Sequence, residues 1–107
     1  MTTHIKKIID DFIHDTRNLL RENLVEEYLF GSYSNTTQTN LSDIDILIVV
    51  KKNEPEIRKQ MSVLSSDYSL NRDVVISPII KDIDIWEKNK RYNTQFYQEI
   101  EKYGVKL

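Results

Sequence analysis

The segment that most constrains this chain runs from Ile44 to Val50. Every residue in it except Asp45 is apolar, and most are β-branched. Branched side chains fit a pleated strand better than a helix, and a continuous apolar run of this length reads as a central strand buried on both faces. Such a strand needs covering layers, so it implies a small sheet flanked by helices. The strand is preceded by Asp43 and carries Asp45, two positions apart, which places both carboxylates on one face. Upstream stands Phe30-Gly31-Ser32, with ten residues between Ser32 and Asp43.

The remaining pattern fills in that sheet and its helices. Ile5, Ile8, Ile9, Phe12, Ile13, Leu19 and Leu20 recur at helical spacing, which predicts an amphipathic helix with Thr2 or Thr3 as a cap. Val25 to Phe30 reads as a strand, and residues 31–42 as a polar loop. Pro55 suits the first turn of a helix, with Ile57, Met61, Leu64 and Tyr68 on its apolar side. Asp73 to Ile76 is expected to be a third strand, punctuated by Pro78, while Ile79 to Ile85 fits either strand or another element. Lys88 to Tyr103 reads as one polar helix with Phe96, Tyr97 and Ile100 buried, stopped by Gly104. The order helix-strand-strand-helix-strand-helix predicts an α/β or α+β fold, a small mixed sheet flanked by helices, in a single domain over residues 1–107.

Composition excludes several classes. The chain has 107 residues and no cysteine, so disulfides and thiolate metal sites are ruled out. His4 and His14 are its only histidines and read as surface helix residues. A net charge of −2 argues against direct nucleic-acid binding, which needs clustered cations. No apolar run approaches the roughly 20 residues of a membrane helix, and the N-terminus shows no signal-peptide run, so a cytoplasmic location is expected.

The chemistry concentrates on a few residues. Gly31 lets backbone approach a phosphate because it has no Cβ, and Ser32 adds a hydroxyl. Asp43 and Asp45 are hard oxygen ligands of the kind Mg²⁺ takes together with substrate phosphates. Asp73, opening the next strand, is the candidate third carboxylate. Three gathered carboxylates repel one another, and a bound cation compensates. Two Mg²⁺ ions about 4 Å apart can clamp the attacking and leaving oxygens of a phosphoryl displacement. Asp82-Ile83-Asp84-Ile85 repeats the pattern but lacks the Gly-Ser turn and the buried run, and reads as a surface segment or helix start. Lys88, Lys90 and Arg91 read as a solvated helix face, and Trp86, Phe96 and Tyr97 as core.

Gly31-Ser32, ten residues, then Ser42-Asp43-Ile44-Asp45 followed by Ile46-Leu47-Ile48-Val49 resembles the signature of the DNA polymerase beta-like nucleotidyltransferases. It is most similar to the minimal nucleotidyltransferases (MNT). The resemblance implies the polymerase beta-like nucleotidyltransferase fold and Mg²⁺-dependent transfer of AMP from ATP to a hydroxyl. It assigns Gly31 and Ser32 to the triphosphate turn, and Asp43, Asp45 and Asp73 to catalysis and the binding of two Mg²⁺ ions. It also implies a partner, since many minimal members are antitoxins encoded beside a helical HEPN ribonuclease toxin, and some inactivate that toxin by adenylylating its tyrosine. The alternatives are an antitoxin acting by binding alone, and a small-molecule nucleotidyltransferase working with a separate helical subunit. Two departures from the family pattern stand out: Asn35-Thr36 where members often carry Arg-Gly, and Arg72 before Asp73 where an apolar residue is usual.

Overall fold

The computed structural model describes residues 3–31 and 43–107. The sequence runs through helix α1 (Thr3–Leu20), a short 3₁₀ turn (Arg21–Asn23), strands β1 (Leu24–Phe30) and β2 (Ile44–Val50), helix α2 (Pro55–Arg72), strand β3 (Ile76–Asp82), helices α3 (Ile83–Arg91) and α4 (Gln95–Tyr103), and a two-residue strand β4 (Val105–Lys106). Among the described residues the strands form one mixed sheet in the order β3-β2-β1-β4. β1 runs antiparallel to β2, whereas β3 runs parallel to it. A parallel neighbour requires a long crossover, and α2 supplies it.

β2 is the centre of the molecule, as its composition predicts. Ile46 through Val50 are all 0% exposed, and full burial of such side chains is worth about 1.5–3 kcal/mol each. Alternate residues serve opposite faces. Ile44, Ile46, Ile48 and Val50 pack with Ile8, Phe12 and Met61 against α1 and α2. Leu47 and Val49 pack with Phe30, Trp86 and Ile100 beneath α3 and α4. This second core is aromatic. Phe96 lies edge-on to Phe30 at 5.5 Å and to Trp86 at 6.0 Å, and Tyr97 is 5.7 Å from Trp86.

Side-chain bonds tie α1 to the rest of the fold. The Tyr68 hydroxyl donates to Asp15 at 2.6 Å, Arg72 pairs with Asp11 at 3.0 Å, and the Arg72 guanidinium lies over the Tyr68 ring. Arg72 is therefore committed to α1. Thr16 hydrogen-bonds Glu27, a 3%-exposed carboxylate on β1 whose other oxygen has no partner.

Several expectations change. Pro78 lies inside β3 rather than ending it, which an edge strand tolerates. Asp82 caps α3 by accepting from the Ile85 amide at 2.8 Å, so the second acidic pair is a helix start. The expected helix from Lys88 to Tyr103 is two helices. Asn93 adopts a left-handed conformation (φ 49°), and Thr94 caps α4 through a bond from the Tyr97 amide. Gly104 does follow the last helix, in extended conformation, where a Cβ would crowd the Ile100 carbonyl. Thr3 is already helical, and Thr2 lies outside the described residues.

Candidate active site

The site lies where β1 ends and β2 and β3 begin. Antiparallel register sets Phe30 opposite Asp45, and parallel register sets Ser77 of β3 opposite Asp45 on the other side. One lip of the sheet therefore brings together Gly31, Asp43, Asp45 and Ser77. Asp43 and Asp45 share the face of Leu47 and Val49, the side covered by α3 and α4.

Gly31 is required here on two grounds. Its φ of +75° is a left-handed conformation that side chains with a Cβ resist. A Cβ built on it would also stand 3.2 Å from the Asp45 Cγ and nearer still to Oδ2. The glycine thus lets the turn pass directly against the Asp45 carboxylate.

Asp43 is exposed and Asp45 half-buried. The Ser77 hydroxyl donates to Asp43 Oδ2 at 3.2 Å. Burial pushes the Asp45 carboxyl above its ordinary range, and the neighbouring charges of Asp43 and of Glu99 on α4 add to that effect. An ionised Asp45 beside these charges is held at an electrostatic cost that a cation would relieve. The donor set of two carboxylates and a hydroxyl consists of hard oxygens, the chemistry Mg²⁺ accepts, so the residues present fit such an ion.

The structure does not bring Asp73 to this pair. It sits beyond the end of α2 as a left-handed cap (φ 54°, ψ 44°), exposed, with β3 starting only at Ile76. Among the described residues, no three of His, Cys, Asp and Glu are grouped to hold a metal. The expectation placed the third strand too early, because Asp73-Val74-Val75 has strand composition but the helix runs on to Arg72. Ser32, Asn35 and Thr36 lie outside the described residues. Ser77 and Glu99 did not stand out in the sequence. Ser77 becomes visible only through the register of a parallel pair, and Glu99 through the packing of α4.

Comparison with known proteins points to one family. A family profile described as "Nucleotidyltransferase domain" matches residues 6–107. The chain is similar to MJ0141 of Methanocaldococcus jannaschii, provisionally named a protein adenylyltransferase. The two are 36% identical over 105 residues, covering 96% of this chain and 98% of the relative. MJ0604 of the same organism, with the same provisional name, is 29% identical over 99 residues, covering 92% and 93%. A toxin–antitoxin crystallised with AMP-PNP matches with a TM-score of 0.60 at 22% identity, over 91% of this chain and 70% of that one. A variant of the MntA–HpeT toxin–antitoxin gives 0.59 at 23% identity, over 92% and 70%.

Proposed function

Because the chain belongs to the nucleotidyltransferase domain family and has the polymerase beta-like nucleotidyltransferase fold, we propose that it transfers AMP from ATP to a hydroxyl of a partner protein. The partner in this reading is a HEPN-type ribonuclease toxin, which the modification neutralises. The observation that carries the proposal is the placement of Asp43 and Asp45 on one face at the opening of β2, with Gly31 packed against Asp45. The provisional names of its relatives as protein adenylyltransferases support a protein acceptor, and the likeness in fold to toxin–antitoxin chains supports the partner.

The reaction is a displacement at the α-phosphorus of ATP. The acceptor oxygen forms the new P–O bond, the bond to the bridging oxygen of pyrophosphate breaks, and the hydroxyl proton passes to water. Asp43 and Asp45 would hold Mg²⁺, which when bound neutralises phosphate charge. Gly31 keeps the backbone close to Asp45, and Ser32, by the family pattern, would bind the phosphates. Burial of Leu47, Val49 and Phe30 behind the carboxylates gives them a fixed base, so their direction is set before ligand arrives.

The test is label transfer from [α-³²P]ATP to the co-expressed toxin, with and without Mg²⁺. Transfer that requires Mg²⁺ and disappears in Asp43→Asn/Asp45→Asn supports the reading. Equal neutralisation by wild type and the double variant, without label on the toxin, overturns it. That result would favour neutralisation by binding alone, a second reading suggested by the exposed position of Asp73 away from the carboxylate pair.

A further inference from the structure

We propose that Ser77, rather than a third carboxylate, completes the candidate site, as a positioning residue that fixes Asp43; this rests on the reading of the site given above. Three observations converge on it. Ser77 is the β3 residue in register with Asp45, so its side chain emerges on the same face as both carboxylates. Its hydroxyl is already bonded to Asp43 Oδ2 at 3.2 Å. The residue that follows is Pro78, which disfavours helical conformations at Ser77 and favours the extended one it has in β3.

The consequence is electrostatic. A hydroxyl in this position leaves the site with two formal charges from the strand residues instead of three. Ser77 donates its proton to one oxygen of Asp43, which leaves the other oxygen free to face a cation. Oriented in this way, the pair of carboxylates binds a divalent ion more weakly than three would, because affinity follows the ligand charge count. The site therefore depends on nucleotide phosphates to complete the coordination of the ion. Asp73, capping α2, contributes nothing to it.

Mn²⁺ binding to the full chain, measured by electron paramagnetic resonance without nucleotide and again with a non-hydrolysable ATP analogue, tests this directly. Ser77→Ala is expected to weaken Mn²⁺ binding about tenfold, the lower end of what loss of a ligand-orienting hydrogen bond costs. Its urea midpoint in the absence of metal should stay at the wild-type value, and Ser77→Thr, which keeps the hydroxyl, should restore binding. Ser77→Asp should tighten nucleotide-free Mn²⁺ binding about tenfold by adding a charged ligand. Asp73→Asn should bind as wild type does. The proposal is overturned if Ser77→Ala binds Mn²⁺ as wild type does, or if Asp73→Asn weakens binding as much as Asp43→Asn. Should Asp43→Asn itself leave binding in the presence of the ATP analogue unchanged, the reading of the site as a metal–nucleotide centre fails first. Loss of binding in Asp43→Asn alone would overturn only the role of Ser77.

Discussion

Gly31→Ala is the sharpest single test of how the turn and the carboxylate are fitted together. The backbone there has φ +75°, and holding an alanine in the left-handed region costs about 1–2 kcal/mol. The new methyl also meets the Asp45 carboxylate, with Cγ at 3.2 Å and Oδ2 closer. Relieving that overlap by shifting packed groups adds about 1–3 kcal/mol. The sum, about 2–5 kcal/mol, is a large share of the roughly 5–15 kcal/mol that holds a domain folded. The two contributions separate in a double-mutant cycle. In an Asp45→Ala background the carboxylate is gone, so Gly31→Ala should cost only the backbone part, about 1–2 kcal/mol. Urea unfolding followed by far-ultraviolet circular dichroism measures all four corners, and the expected coupling is about 1–3 kcal/mol. A Gly31→Ala cost below about 0.5 kcal/mol, within the range of ordinary surface substitutions, would refute the argument. So would a coupling of zero.

Four further outcomes follow from the packing. Burial and the charges of Asp43 and Glu99 raise the Asp45 carboxyl, so its ionised form opposes folding at neutral pH, and that opposition fades as pH falls through the folded-state value. Asp45→Asn should therefore raise the metal-free thermal midpoint at pH 7 while removing Mg²⁺·ATP binding; a lower midpoint would count against the stated electrostatics. The same sign applies to Glu27, raised chiefly by burial. Glu27→Gln should stabilise the protein at neutral pH and flatten its dependence on acidification, whereas Thr16→Val, which removes the carboxylate's hydrogen bond, should cost about 1–3 kcal/mol in urea unfolding. Tyr68→Phe, which loses the bond to Asp15, should cost about 1–2 kcal/mol, and a wild-type unfolding midpoint for this variant would show that the bond contributes nothing.

Much of the fold was legible because its dominant element carries its own signal. Ile44 to Val50 is apolar on both sides of the strand, and no helix or half-exposed strand accounts for that pattern. The positions of Gly31, Asp43 and Asp45 at one end of the sheet were legible for the same reason, being read beside that strand. Asp73 was not, because local composition cannot say which residue of a parallel neighbour lies opposite another. That depends on where α2 ends, and α2 continues through Arg72 before the left-handed cap at Asp73. The break between α3 and α4 did have a local cue in Asn93-Thr94, a turn residue followed by a capping residue, but it sits inside a polar run that reads as helix throughout. β4 pairs only two residues with β1, too few to leave a periodic signature.

The two faces of the sheet also differ in what they let an observer see. Trp86 is the only tryptophan in the chain, it is 1% exposed, and it belongs to the aromatic core behind the site. Its contact with Phe96, which in turn touches Phe30, leads to the residue just before Gly31. Its intrinsic fluorescence is thus a built-in optical probe of the site-bearing half of the molecule. Titrated with nucleotide, it reads rearrangement beneath the carboxylates, while loosening confined to α1 and α2 on the far side stays dark to it. Emission and circular dichroism recorded on one sample would therefore resolve the two halves without any label.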